Sequence, residues 1–302
     1  MKYFYKVAEN FLAISVPQGL AAWEAIEPRF RPFESSEAAC AGLDVDIRSE
    51  KLPKSVGDVI YEPKEGGVGF IAARALRDPD GCMIMEFKHI AERKRRLWLR
   101  MPRELNRAEI AIRATGDHTD HYFLTHALMI AFMIATCGKG TLVIHSSSVI
   151  YEGKAYLFQG KSGTGKSTHA GLWIENIEGA ELMNDDNPII RFSEAGVAMA
   201  YGSPWSGKTH CYRNVGAPIG AFVRIVHSSE NELRRLRPLQ AYASLTASVF
   251  FMPFLGEKPR EMRHKTIERL ATGVPCCEML CRPDAEAAWK CMRGLGEISR
   301  AV

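Results

Sequence analysis

The stretch Gly160-Lys161-Ser162-Gly163-Thr164-Gly165-Lys166-Ser167-Thr168 decides the fold of the region around it. It fits the phosphate-binding loop pattern of a glycine, four residues, a glycine, a lysine and then serine or threonine. Glycines permit positive φ and let backbone N–H groups approach an anion without an intervening Cβ. A helix that begins near Lys166 directs the positive end of its dipole at the same anion, and the lysine adds a point charge. The pattern predicts that these nine residues bind the phosphates of a nucleotide.

The residues on either side of this stretch agree with that prediction. Residues 155–159 are typical of a short buried strand, and residues 168–174 are typical of a helix, so a strand, a loop and a helix follow one another. The hydroxyl of Ser167 lies at the start of the predicted helix. It is a candidate ligand for Mg²⁺, because that ion favours oxygen ligands.

The composition indicates the class of protein. The 302 residues are 46% hydrophobic and 25% charged, which is typical of a globular protein with one large domain or two ordinary ones. The net charge of +4 is too small to indicate a nucleic acid partner by itself. The N-terminus lacks the apolar core of a secretory signal, and the eight cysteines are scattered, so we expect free thiols and a cytoplasmic location.

Two further segments bear on partners. The most apolar run, residues 122–137, is short for a membrane span of about 20 residues, so we expect a buried core helix that stops at Gly138 and no membrane. The basic run from Lys88 to Arg103 is consistent with either a nucleic acid contact or a solvated face. Trp98 and its apolar neighbours interleave as in a half-buried strand, so we favour the solvated face.

The spacing of apolar runs and turn residues predicts two domains. Residues 1–114 form short apolar runs divided by Gly, Pro and Asp, which is typical of a strand-rich domain, whose role we leave unassigned. Residues 115–302 begin with the core helix. They continue with strands at 141–150 and 155–159, then with the loop and its helix, and then with strands near 181–184, 188–192, 197–201 and 217–226.

Asp185 and Asp186 follow the loop and its helix, at the end of a predicted strand. One of two adjacent carboxylates can hold Mg²⁺ while the other orients or deprotonates an attacking hydroxyl. The alternative is an ordinary turn, because Asn-Asp-Asp-Asn-Pro favours turns. With the glycine-rich stretch upstream, we favour the functional interpretation and assign Asp185 to the metal and Asp186 to the base.

Two more residues are weaker candidates. His145 lies near the middle of the predicted strand 141–150, where a histidine is usually structural. The segment Ala200 to Lys208 contains two glycines and a proline and ends in a lysine, so it is either a plain surface loop or a loop that brings Lys208 to a transferring phosphoryl group.

These motifs together resemble a known family. His145-Ser146-Ser147-Ser148-Val149, the stretch from Gly160 to Thr168 and the pair Asp185-Asp186 are similar to the catalytic domain of HPr kinase/phosphorylase. ATP-dependent phosphoenolpyruvate carboxykinase has the same architecture. The resemblance covers residues 140–192 well and 193–302 loosely. It implies an active-site role for His145, contact of Lys166 with the β- and γ-phosphates of ATP, and a position for Ser167 near Mg²⁺.

We therefore expect an α/β fold with a phosphate-loop domain of the HPr kinase and carboxykinase type and a smaller strand-rich domain. The expected activity is transfer of the ATP γ-phosphoryl group, with Mg²⁺, to a hydroxyl of a protein serine or a small molecule. The resemblance also implies a homo-oligomer. Two alternatives stay open: a nucleotide-dependent regulatory protein with slow or no hydrolysis, and a carboxykinase-like enzyme acting on a small organic acid.

Overall fold

The computed structural model describes residues 1–36, 42–62, 71–91, 94–116, 119–207 and 209–300. These residues form a mixed α/β structure with two mixed sheets and seven α-helices, which confirms the predicted α/β class. The chain divides into two compact units, Met1–Thr136 with Met252–Glu257, and Cys137–Phe251 with Lys258–Val302. The predicted core helix therefore falls in the first unit, whereas the sequence-based boundary at residue 115 assigns it to the second.

The first unit is built on an eight-stranded sheet. The neighbouring strands of this sheet have the order β1-β2-β3-β8-β7-β6-β5-β4, and the pairs β2–β3 and β3–β8 are parallel. Its strands are β1 (Lys2–Val7), β2 (Asn10–Ser15), β3 (Leu43–Ser49), β4 (Asp58–Tyr61), β5 (Ile71–Arg77), β6 (Met83–His89), β7 (Arg95–Met101) and β8 (Arg107–Ile112).

Three helices belong to this unit: α1 (Ala21–Glu24), α2 (Glu27–Phe30) and α3 (Asp120–Cys137). Tyr5, Trp23 and Phe30 pack their rings together at 5.3–6.4 Å between centroids. Helix α3 is largely buried and ends one residue before Gly138, as the sequence predicts. Within the described ranges, no helix is both long and apolar enough to cross a membrane.

Only part of the basic run is the solvated face that the sequence suggests: Lys94 and Arg103 are exposed, whereas the arginines of β7 are buried or half-buried. Arg96 is only 4% exposed, and its guanidinium donates to Asp120 Oδ1 at 2.9 Å. Arg100 pairs with Asp78 at 3.0 Å. These partners are 22 and 24 residues away in sequence, so the run itself gives no sign of them.

The second unit contains a nine-stranded sheet in which β12-β10-β11-β15-β14-β13-β9 are successive neighbours, while β17 pairs with β15 and β16 with β17. The pairs β11–β15 and β15–β17 are parallel. The strands are β9 (Leu142–Val143), β10 (Ser146–Tyr151), β11 (Lys154–Gln159), β12 (Glu181–Asp186), β13 (Ile189–Phe192), β14 (Ala198–Tyr201), β15 (Gly216–His227), β16 (Glu232–Arg235) and β17 (Cys276–Cys281).

Four helices complete this unit and cover the sheet: α4 (Lys166–Asn176), α5 (Pro238–Ser248), α6 (Glu257–Gly273) and α7 (Ala285–Arg300). Because neighbours along a strand point to opposite faces, Phe158 and Leu157 enter different cores. Phe158 packs with Trp173 of α4 and with α7, while Leu157 packs with Leu245 of α5 and with α6. No disulfide joins any of the cysteines within the described ranges.

The structure corrects one predicted strand. Residues 141–150 are not continuous, because β9 pairs with β13 whereas β10 pairs with β11 and β12. Between the two strands, Ile144 bridges to Val249, and the backbone N–H of His145 donates to the carbonyl of Ser248 at 2.8 Å. His145 therefore lies in a break between strands and not in the middle of one.

Candidate functional site

The glycine loop, residues 160–165, joins β11 to α4. Gly160, Gly163 and Gly165 have φ of +151°, +83° and +85°. A Cβ added at Gly160 would collide with Thr164 Oγ1, so a side chain there is disfavoured by contact as well as by conformation. Thr164 Oγ1 donates to the carbonyl of Lys161 at 2.8 Å, which closes the loop on itself. These contacts give the loop a fixed backbone path.

Lys166 is the first residue of α4, and its ammonium turns back into the glycine loop. Its Nζ donates to the carbonyls of Gly160 and Lys161 at 3.3 and 3.4 Å, and the residue is only 8% exposed. Burial lowers the pKa of Lys166, against the opposing effect of the Asp186 and Asp185 carboxylates. A desolvated ammonium with two long hydrogen bonds can exchange them for an anionic oxygen at small cost.

Ser167 and Asp185 connect α4 to β12. Ser167 Oγ donates to Asp185 Oδ1 at 2.7 Å, and Asp185 is 3% exposed whereas Ser167 is exposed. The Asp185 carbonyl accepts hydrogen bonds from Ser206 Oγ at 2.9 Å and from the Gly207 N–H, which fix the strand end. A hydroxyl and a carboxylate beside a buried lysine are the oxygen ligands that Mg²⁺ takes together with phosphate oxygens and water.

The second carboxylate of the acid pair, Asp186, contacts His145. His145 Nε2 lies 3.0 Å from Asp186 Oδ1, and Asn187 Nδ2 donates to the other oxygen at 3.0 Å. Burial raises the pKa of Asp186, but the hydrogen bond and charge of His145, with Asn187 and Lys166, lower it by more. The pKa therefore lies below its usual value, and the carboxylate is ionised near neutral pH.

The backbone at Asp186 is unusual for a residue with a side chain. Its φ is +108°, a region that non-glycine residues adopt rarely and that is enriched at functional sites. Asp185 has ordinary strand pairing with Ser147, and Asp186 pairs with Ser146. The two neighbouring carboxylates have different partners. The Asp185 carboxylate contacts Ser167 of α4, whereas the Asp186 carboxylate contacts His145 in the break between β9 and β10.

The segment that follows β14, residues 202–207, contacts the end of β12 where the acid pair lies. Asn184 Nδ2 donates to the carbonyl of Trp205 at 3.1 Å, and Ser203 Oγ donates to the carbonyl of Asn187 at 2.7 Å. Ser206 bridges to Asp186 in antiparallel fashion. The predicted cation of this segment, Lys208, lies outside the described residues.

Most of the predicted site residues come together. Ser167 contacts Asp185 and His145 contacts Asp186, and Lys166 lies close enough to both carboxylates to interact with their charges. The other predicted residues lie in the glycine loop or in the first turn of α4. Of these, Ser162 in the loop and Thr168 in the helix are exposed. The remaining members of the predicted set are Gly160, Gly163, Thr164 and Gly165.

Sequence reasoning missed three polar residues near the site: Gln159, Ser146 and His227. Ser146 on β10 lies directly opposite Gln159 on β11 and, on its other side, opposite the predicted Asp186 on β12. Ser146 Oγ and Gln159 Oε1 are buried, and within the described ranges neither has a hydrogen-bond partner. His227, at the end of β15, has its ring 3.9 Å from the Cβ position of Gly165. Period-two alternation could have indicated Ser146, but nothing local marks His227.

Comparison with models of known protein families gives no match, and comparison with curated proteins gives none either. The described ranges also hold no group of three or more His, Cys, Asp and Glu side chains suited to a metal ion. A Mg²⁺ site of one carboxylate, one hydroxyl, phosphate oxygens and water does not need such a group. Any functional assignment therefore depends on the geometry of Lys166, Ser167, Asp185, Asp186 and His145.

Proposed function

We propose that this chain is an ATP- and Mg²⁺-dependent phosphotransferase that moves the γ-phosphoryl group to a hydroxyl of a protein serine or a small molecule. The observation that supports it best is that the two carboxylates of the acid pair have different partners. Asp185 contacts Ser167 on the loop side, whereas Asp186 contacts His145 on the other side. A metal-side carboxylate and a separate base-side carboxylate are what phosphoryl transfer to a hydroxyl requires.

In this proposal the glycine loop and the N-terminus of α4 hold the phosphates through backbone N–H groups. Lys166 exchanges its carbonyl partners for β- and γ-phosphate oxygens. Ser167 and Asp185 hold Mg²⁺, which when bound neutralises charge on the phosphates. Each of these contacts acts on the developing charge, where removing a single donor typically costs ~3–4 kcal/mol.

Asp186 receives the proton of the acceptor hydroxyl as its oxygen attacks the γ-phosphorus. The bond between that phosphorus and the β–γ bridging oxygen breaks, and ADP leaves with the bond's electron pair. His145 keeps Asp186 ionised and oriented, because its hydrogen bond lowers the pKa of that carboxyl. General base catalysis of this kind contributes about 10²–10⁴-fold.

The resemblance of residues 140–192 to HPr kinase and to ATP-dependent carboxykinase agrees with the same chemistry, and the proposal includes a fold of that type. The acceptor is not assigned to HPr, because the chain lacks a recognisable motif for the phosphorylase activity of that family. The proposal therefore names the chemical class of the acceptor, a hydroxyl, and no individual molecule.

The test is ³¹P NMR of the purified protein with MgATP and fractionated cytoplasmic extract. A new phosphomonoester signal, absent with Lys166→Ala and suppressed with Asp186→Asn, is the expected result. Production of ADP and inorganic phosphate alone would replace the proposal with a nucleotide-dependent switch. ATP consumption that depends on oxaloacetate would replace it with carboxykinase-like chemistry. The Asp186→Asn variant should still bind ATP, which separates loss of the base from loss of the fold.

A further inference from the structure

The first unit contains a cleft of about 690 Å³ at one end of its sheet. The cleft lies where β3 and β8 finish and β7 begins, and these three strands are neighbours in the sheet. Its walls are residues 49–52 after β3, residues 94–95 at the start of β7, and residues 112–114 at the end of β8. A volume of this size is within the range of ligand-binding pockets.

The cleft is lined by cations that no acid neutralises. Lys51, Lys94 and Arg113 are exposed, and across the described ranges none of their side chains makes a hydrogen bond or ion pair. Glu50 is the acidic residue among the lining residues. Arg95 also lines the cleft, but it is already bound to Glu86. Three cations therefore face the cleft against one carboxylate.

Several other arginines of the same sheet are paired with acids. Arg74 and Arg95 share the buried Glu86, Arg96 pairs with Asp120, and Arg100 pairs with Asp78. The arginines of β7 thus form ion pairs within the fold, whereas Lys94, which directly precedes β7, forms none among the described residues. Lys51, Lys94 and Arg113 therefore differ from these arginines, whose charges are already balanced by acids.

The wall that holds Lys51 is anchored. Leu52 packs against the cluster of Leu76, Ile84, Trp98 and Ala111. Arg95 Nη1 donates to the carbonyl of Pro53 at 3.1 Å. The backbone that positions Lys51 is therefore fixed by an apolar contact on one side and a hydrogen bond on the other.

We propose that this cleft binds an acidic segment of a protein partner, with its carboxylates on Lys51, Lys94 and Arg113. The apolar side chains of Leu52 and Ile112 line the same cleft, which suits a peptide that combines acidic and apolar side chains. Single-stranded nucleic acid is a poorer fit, because such sites use aromatic platforms for the bases and the described lining residues include no aromatic side chain. The proposal does not depend on phosphoryl transfer by the second unit.

The probe is a fluorescein-labelled peptide of six glutamates around one leucine, with fluorescence anisotropy as the readout. The matched peptide has glutamine in place of each glutamate. We expect the acidic peptide to bind more tightly, and its affinity to fall as NaCl is raised, because exposed ion pairs are screened. Equal binding of the two peptides, or of neither, would overturn the proposal.

The cleft is tested with the triple variant Lys51→Glu, Lys94→Glu and Arg113→Glu. Its control reverses three exposed cations of the second unit, Lys258→Glu, Arg260→Glu and Arg293→Glu, so that the net charge changes equally. We expect roughly tenfold or greater weakening in the cleft variant, since each exposed pair contributes a few-fold, and unchanged binding in the control. Equal weakening in both would reduce the effect to net charge and contradict the proposal.

Two further measurements keep the test decisive. Thermal melting by circular dichroism checks the fold, and a triple glutamine variant of the same cleft residues replaces the glutamate variant if that one unfolds. Lys166→Ala should bind the peptide like the wild type, so failure of the phosphotransferase proposal leaves this one standing. A labelled single-stranded oligonucleotide that binds the cleft more tightly than the acidic peptide would overturn the assignment to a protein partner.

Discussion

His145 Nε2 lies 3.0 Å from Asp186 Oδ1, and this contact joins the break between β9 and β10 to the end of β12. Both residues have irregular backbone: His145 has left its strand, and Asp186 has a φ of +108°. The surroundings hold them there through the hydrogen bond of His145 to Ser248 and the bridge of Asp186 to Ser206. A strained residue held from two sides is typical of a site that must be in place before its ligand arrives.

The first prediction concerns acid stability. Because the folded-state pKa of Asp186 is lowered, its ionisation stabilises the protein above the unfolded pKa of about 3.9, and this is lost as pH falls through the folded value. His145→Ala removes the hydrogen bond that lowers that pKa. We expect a lower melting temperature than the wild type at pH 7, and a difference that shrinks towards pH 3.

Both side chains are partly exposed, at 33% and 40%, so the effect at neutral pH should be no more than ~1 kcal/mol. The control is the same substitution in an Asp186→Asn background, where the pH-dependent part should vanish. A difference between His145→Ala and the wild type that is constant from pH 7 to 3 would contradict the linkage to Asp186.

The second prediction concerns Ser167. Ser167→Ala removes the hydroxyl that donates to Asp185 at 2.7 Å. We expect MgATP to bind at least tenfold more weakly, while ATP without Mg²⁺ binds about as well as it does to the wild type, because the loop backbone is intact. Titration of a fluorescent ATP analogue with and without Mg²⁺ measures both. Ser167→Thr keeps a hydroxyl and should behave like the wild type; equal loss in both variants would argue against a metal ligand.

The third prediction sets stability against function at Lys166. Burial lowers the pKa of Lys166, so its charged form is disfavoured in the fold relative to water. Lys166→Met keeps most of the unbranched side chain and removes the charged end. We expect the melting temperature of the nucleotide-free protein at pH 7 to rise by a few degrees, while binding of MgATP is lost. A fall in melting temperature would show that the carbonyl contacts and the nearby carboxylates outweigh desolvation.

Local patterns predicted the parts of the site that depend on neighbouring residues. The order of Gly160, Gly163, Gly165, Lys166 and Ser167 requires a loop between a strand and a helix, because the glycines need positive φ and the lysine follows at a helix start. The segment 181–184 was likewise predicted as a strand that leads to the acid pair. In each case the information lies within about ten residues.

The parts that sequence could not predict depend on distant partners. The strand at 141–150 breaks because Ile144 pairs with Val249, which lies 105 positions further along the chain. Arg96 belongs to a basic run but is buried against Asp120 on α3. The contact of Ser206 and Gly207 with Asp185 requires the chain to return from β14. The local pattern of apolar and polar residues carries no information on such distant pairings.

The last prediction concerns Gly207, whose N–H donates to the Asp185 carbonyl. A Cβ at this position would lie 2.9 Å from Asp186 Cβ and 3.4 Å from its Cγ, so Gly207→Ala must push the carboxylate away from His145. Because a misplacement of about 1 Å can cost ~10²-fold in rate, we expect phosphoryl transfer to fall tenfold or more while ATP affinity stays within about twofold. Gly171→Ala is the control: it lies in α4 with no atom within 4 Å of the added Cβ, and should stabilise the protein by ~0.5–1 kcal/mol without changing the rate. Full activity in Gly207→Ala would mean that the position of Asp186 does not limit the reaction.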